Sequence, residues 1–146
     1  MIKYSHNTVK EIDVYRFLSI CDTLFSPILS EVVNIKAYAN KLYNYADFFE
    51  AKDNDNLIGL LTIYLNNEEK RTGYISTLCI EAKYQGIGIA RKLMSQVINY
   101  SGQISFNFLE LEVYNSNKEA FNFYKSIGFR KFKELNNSCL MRFTVK

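Results

Sequence analysis

Two glycines in three residues, Gly86 and Gly88 of the stretch YQGIGIARKLM, stand directly before an apolar-periodic run. Glycine has no Cβ, so a ligand can approach such a backbone closely. The first turn of a helix leaves several N–H groups without partners and carries partial positive charge from the macrodipole. Together these features suit an anion, phosphate above all. Arg91 and Lys92 fall in the same first turn, where cations oppose the dipole; a bound polyanion or a solvated helix face accounts for them equally. The pattern G-x-x-x-x-G-K-[ST] is absent, and G-x-G-x-x-G would need glycine where Arg91 stands. A G-x-G by itself is equally a structural turn.

Other chemistries have less to work with. Cys21, Cys79 and Cys139 are far apart, no C-x-x-C pair exists, and His6 is the only histidine. No metal site and no Cys–His nucleophile is therefore expected. The carboxylates offer more. In LELEV, alternation puts Leu109, Leu111 and Val113 on one face of a strand and Glu110, Glu112 and Tyr114 on the other. Glu81 ends the preceding strand-like run.

The elements that must position these residues are legible in outline. Ile2 to Tyr4 reads as a short strand, and about Lys10 to Leu24 as a helix that Pro27 separates from a second one over Glu31 to Tyr43. DFFEAK and LIGLLTIYL are strands joined by the turn DNDN, and NNEEKR joins the latter to TGYISTLCI. A helix over about Gly88 to Ser101 presents Ala90, Leu93, Met94, Val97 and Ile98 on one face. FNFLELEVY reads as a strand, SNKEAFNFYKSIGF as a helix ending at Gly128, and RKFKEL with CLMRFTV as a hairpin around NNS. Ser116 and Glu119 form an S-x-x-E capping box that would start the helix carrying Tyr124. The order makes a mixed α/β domain with antiparallel hairpins and at least one crossover.

Composition fits this picture. The chain has 146 residues, 48% hydrophobic and 23% charged, enough for one domain with a substantial core. A net charge of +3 on scattered Lys and Arg gives no ground for a nucleic-acid partner. The N-terminal stretch has no apolar leader-like run, and no segment approaches the ~20 apolar residues of a membrane span. A cytoplasmic protein with reduced, mostly buried thiols is expected.

A second constellation gives the glycines a context. Gln85-Gly86-Ile87-Gly88-Ile89-Ala90 resembles the Q/R-x-x-G-x-G/A loop of the GCN5-related N-acetyltransferases (GNAT). Asn117, Ala120, Tyr124, Gly128 and Phe129 resemble that superfamily's C-terminal signature N-x-x-A-x-x-x-Y-x-x-x-G-F. Both motifs stand in the family's order and spacing, and with the strand before them they cover about Thr72 to Arg130. Residues 1–45 match no motif; in this family that region helps shape the acceptor site.

The resemblance implies one α/β domain over residues 1–146, with a mixed, mostly antiparallel sheet of about six to seven strands and about four helices. It implies acetyl-CoA as the donor and no metal. The pyrophosphate would rest on the loop from Gln85 through Gly86, Ile87, Gly88, Ile89 and Ala90 to Arg91. Pantetheine would run beside Leu78, Cys79 and Ile80, pairing with their backbone like an extra strand. Asn117 would contact the cofactor, and Tyr124 would sit by the thioester sulfur.

Acetyl transfer to an amine needs a neutral amine, a held thioester, a stabilised oxyanion and a protonated leaving group. Tyr124, with a phenol near ~10, suits the protonation of a thiolate whose acid lies near ~8.5; otherwise it packs with Ala120 and Ile127 on one helix face. Some family members carry a glutamate in this L-E-V context and use it as base, which makes Glu112 the candidate, with Glu81 or a water chain as rivals. A backbone N–H near Leu78 to Ile80 would meet the oxyanion. Direct transfer in a ternary complex is expected, Cys79 being a small buried side chain. The acceptor implied is a small-molecule amine (amino sugar, amino acid or polyamine). The alternatives are a protein N-terminus, as in ribosomal-protein-alanine acetylation, and a non-catalytic CoA-binding module. Neither a membrane nor a nucleic acid is an expected partner, and the state is monomer or homodimer.

Overall fold

The computed structural model describes residues 1–146. The strands are β1 (Ile2–His6), β2 (Asp47–Asp53), β3 (Asn56–Tyr64), β4 (Thr72–Ile80), β5 (Phe108–Tyr114), β6 (Arg130–Glu134) and β7 (Ser138–Thr144). They form one seven-stranded sheet in the order β1-β2-β3-β4-β5-β7-β6. Every neighbouring pair is antiparallel except β4 and β5. Parallel neighbours need a crossover. Here it is α4 (Ile89–Gln103), whose buried Ile89, Leu93, Met94 and Val97 recur at helical spacing.

The sheet separates two apolar clusters. One joins α4 to Phe49, Leu61, Ile63, Ile75, Leu109 and Leu111, with Phe129 just before β6 and Met141 from β7. The other joins α1 (Glu11–Ile20) and α3 (Ile35–Tyr45) through Val14, Phe17, Leu18, Ala39 and Leu42 to Phe48, Leu60 and Cys79 on the opposite face. The seven strands and their mixed, mostly antiparallel pairing are those of the expected fold. The helices number five rather than about four. The helix expected over Glu31 to Tyr43 is two, a short α2 (Leu29–Val32) and α3. Val33 is extended between them, and Asn34 caps α3 by accepting from the Ala37 N–H at 2.9 Å. A β-branched pair followed by an N-cap residue makes a boundary that apolar periodicity alone does not display.

The feature that makes room for chemistry lies between β4 and β5. Their pairing covers only Thr72, Gly73 and Tyr74 against Phe108, Leu109 and Glu110. Beyond Tyr74 the two strands part, so the edges they turn toward each other face a cleft, while β4 stays paired with β3 and β5 with β7.

Candidate active site

One end of this cleft is made of backbone. Glu81 N donates to Ile58 O on the β3 side. Alternation therefore turns the N–H and C=O groups of Leu78 and Ile80 the other way, into the cleft. Gln85 takes one of them, its Nε2 donating to Ile80 O at 3.0 Å. Tyr84 donates to Asp53 Oδ2 in the β2–β3 turn at 2.6 Å. These two bonds fix the chain that leads into the glycines. Gly86 and Gly88 both have positive φ, +81° and +92°, and an added Cβ at either would meet nothing within 4 Å. The glycines thus serve the left-handed turn and leave bare N–H groups facing open space. Gly88 is the N-cap of α4 and supplies no side chain to cap it.

The cleft beside this turn has a volume of about 750 Å³. Leu78, Cys79, Ile80 and Gln85 line it, then Gly86, Gly88, Ile89, Ala90 and Arg91, and on the far wall Asn117 and Tyr124. The Ile87 side chain is 66% exposed between the two left-handed glycines and does not line the cleft, which leaves only its backbone to face a ligand. Arg91 is tied to α5 (Lys118–Ile127), donating to Ser126 Oγ at 2.9 Å with its guanidinium over the Phe123 ring. It braces the two helices that flank the cleft.

Asn117 rather than Ser116 is the N-cap of α5, accepting from the Ala120 N–H at 3.1 Å. The expected Ser116–Glu119 capping box does not form; the cap lies one residue on and is one-sided, since Ala120 has no side chain to reciprocate. Asn117 Oδ1 is occupied by this cap, and only its amide N–H groups are left to face the cleft. About two helical turns further on, Tyr124 packs edge-on against Phe129 and Phe123. Burial pushes its phenol up to about 12, with the nearby Cys79 adding slightly, although the ring keeps part of its surface on the cleft. Cys79 itself is pushed far up by its hydrogen bond with Cys21 and by burial, which suits packing and not nucleophilic attack.

The other end of the cleft is made of side chains. A second cavity of about 370 Å³ shares Leu78, Asn117, Ala120 and Tyr124 with the first and continues to Glu112. Its walls are mostly apolar: Phe25, Leu29, Val32 and Val33 from the segment around α2, and Val113 and Tyr114 from β5. Leu109, Leu111 and Val113 are buried while Glu112 and Tyr114 are exposed, so the carboxylate stands on the cleft face of β5. Ser138 donates a short hydrogen bond to Glu112 Oε2, leaving the other oxygen free. Glu81 is elsewhere, in a charged pocket with Asp13, Arg16 and Lys83 behind the glycine turn. Tyr124 alone among the titratable side chains borders both cavities.

Sequence reasoning singled out neither Tyr38 nor Tyr74. Tyr38 on α3 lines the second cavity. Tyr74 is pushed up to about 12, mainly by burial and next by the Glu112 charge. Strand alternation would have put Tyr74 beside Ser76 and Leu78 had the strand been regular. Nothing local in the sequence marks Tyr38.

The chain resembles known proteins in both sequence and fold. Residues 14–129 match the family model described as the acetyltransferase (GNAT) family. N-alpha-acetyltransferase 30 of Schizosaccharomyces pombe is 30% identical over 138 residues, covering 92% of this chain and 86% of that protein. The human protein of the same name is 29% identical over 115 residues, and there the matched part spans only 32% of its length. Among solved structures, the PaiA N-acetyltransferase of Thermoplasma acidophilum, in complex with coenzyme A, superposes over 99% of both chains with a TM-score of 0.80 at 15% identity.

Proposed function

Because this chain belongs to the GNAT family and is an acyltransferase of it, we propose that it moves an acetyl group from acetyl-CoA to the α-amine of a peptide whose first side chain is apolar. The observation that carries this reading is the two-ended cleft, with Tyr124 at the junction and a single carboxylate, Glu112, at the apolar end. The free edge of β4 offers Leu78 and Ile80 backbone groups to an extended, amide-bearing chain. The bare first turn of α4 offers N–H groups to a pyrophosphate, in space no side chain fills. These residues fit coenzyme A, and the complex of the PaiA relative with coenzyme A supports the assignment.

Bound there, acetyl-CoA supplies an activated acetyl thioester. The chain's own groups do the rest. Glu112, with one oxygen held by Ser138, takes the proton that the amine nitrogen loses as its bond to the acetyl carbon forms. Cleft-facing N–H groups of β4 stabilise charge developing on the acyl oxygen. Tyr124 keeps its proton at Oη through neutral pH and gives it to the sulfur as the carbon–sulfur bond breaks. The same dry surroundings raise the thiol's own pKa, which keeps that transfer feasible. Glu112 returns its proton to solvent and Tyr124 recovers one.

The acceptor follows from the walls. A polyamine would call for several carboxylates, whereas this cavity has one, Glu112, and the segment around α2 gives it an apolar wall of Phe25, Leu29, Val32 and Val33. The N-alpha-acetyltransferase name of the relatives points the same way. The test is thiol release from acetyl-CoA across peptides that differ in the first residue, set against a panel of polyamines, amino sugars and free amino acids. Peptides with an apolar first residue should be preferred. Preference for a small amine would leave the acetyltransferase reading standing and overturn the acceptor.

A further inference from the structure

The cleft exists because β4 leaves β5, and the structure has a residue at which this happens. The register of β3 against β4 steps from Ile63↔Ile75 to Thr62↔Thr77, so Ser76 is an extra residue in β4. Such a bulge bends its strand and takes backbone groups off the ladder. Ser76 is also two residues beyond the last β4 residue paired with β5, Tyr74. A bulge inside a packed sheet needs partners for the groups it releases.

Tyr38 supplies one for the Ser76 carbonyl. Its hydroxyl lies against Ser76 Oγ, 3.4 Å from Ser76 O and 2.8 Å from Thr77 Oγ1. Thr77 is buried, so without the phenol its hydroxyl would have no water to turn to. Ala39 and Leu42, buried beside Tyr38 on α3, hold that helix against the sheet and so aim the phenol. Tyr64 brings a second phenol to the same spot, pushed up by burial and by Tyr38; its oxygen is buried next to Ser76 without a well-formed bond.

We propose that Tyr38 is a positioning residue for acetyl transfer, pinning the Ser76 bulge and thereby setting the gap between the β4 edge and Glu112 on β5. The inference rests on the transfer reading above. It assigns to α3, a helix with no family motif, control of the distance between donor and base. A small shift in that gap misaligns the reacting groups without touching the glycine turn, and misalignment of this order costs heavily in rate.

Tyr38→Phe keeps the ring and removes the hydroxyl. Turnover should fall about tenfold or more. The coenzyme A dissociation constant should stay at the wild-type value, and amide hydrogen exchange should accelerate across Ser76 to Ile80 but not in α4. A fully active variant with unchanged exchange would overturn the proposal. So would a variant whose coenzyme A binding, melting temperature and turnover all fall together, since that pattern describes general destabilisation. If the wild-type protein transfers no acetyl group to any amine, the proposed function falls, while the exchange comparison still decides whether Tyr38 pins the bulge.

Discussion

The donor end of the cleft is assembled from backbone: the free edge of β4, two left-handed glycines and the uncapped first turn of α4. The acceptor end is assembled from side chains that arrive from α2, α3, β4 and β5. Backbone can be offered to a ligand only where local sequence permits it, through Gly, a strand edge or a helix start. Side chains can be brought together from any element that packs against the sheet. The donor end is therefore constrained residue by residue, and the acceptor end is free to vary while the fold persists.

That difference predicts unequal consequences when each end is damaged. The largest belongs to Gly88→Val. It puts a β-branched residue at φ +92° and fills space in which no protein atom lies within 4 Å of the added carbon. Coenzyme A at ~100 times its dissociation constant should stabilise the wild type by about 2.7 kcal/mol, read as a rise in melting temperature. The variant should lose that rise, and a retained rise would remove the pyrophosphate from this turn.

Next comes the junction. Tyr124→Phe keeps the packing on Phe129 and removes the hydroxyl proposed as proton donor. Turnover should drop ~10²-fold with coenzyme A affinity and melting temperature nearly unchanged. Packing as its sole role would give full activity in the Phe variant and lost stability in Tyr124→Ala. The raised phenol also fixes the alkaline side of the wild-type profile. Tyr124 stays protonated until the pH nears about 12, so the rate should climb as the amine loses its proton and show no fall between pH 8 and 10.

The acceptor end should respond in a different parameter. Val33→Asp sets a charge in the apolar wall. It should raise KM for a peptide with an apolar first residue by roughly tenfold or more while leaving the coenzyme A thermal shift intact. Equal losses at both ends would mean that the cleft behaves as one unit.

The smallest effect concerns the brace behind the glycine turn. The Tyr84 hydrogen bond, and next the N-terminal amine, hold the Asp53 carboxyl below its usual range. A depressed carboxylate contributes stability that is present above its unfolded value near ~3.9 and lost as pH falls through the folded one. Asp53→Asn should barely shift the melting temperature at neutral pH and should flatten its decline below pH 4. The N-terminal amine is exposed and Asp53 only half-buried, so salt should shrink the difference.

What the sequence displays divides along the same line. Gly86, Gly88, Asn117 and Tyr124 are visible because their spacing is imposed by a turn, a cap and one helix face, all local constraints. The seven strands are visible because alternation and turn residues are local as well. Ile87 belongs to the motif through its backbone, and the sequence does not display that its side chain, between two left-handed glycines, is exposed. The shift of the helix cap from Ser116 to Asn117 is a one-residue matter that both residue types permit. Tyr38 was invisible because its role depends on a register step in β3 and β4, some forty residues away. The choice between Glu112 and Glu81 is likewise open in the sequence, since both lie toward the C-terminal ends of neighbouring strands; the fold lines the second cavity with Glu112 and sets Glu81 in the pocket behind the turn.

Turnover of Glu112→Gln addresses the central claim most directly, that a carboxylate at the acceptor end and a phenol at the junction act on the two sides of one transfer. The substitution keeps the side-chain shape, and the Ser138 hydroxyl still has an oxygen to donate to. The account predicts a ~10²-fold loss near neutral pH, unchanged coenzyme A affinity, and partial recovery at high pH as the free amine accumulates. Wild-type turnover across that range would contradict it and move the base away from β5.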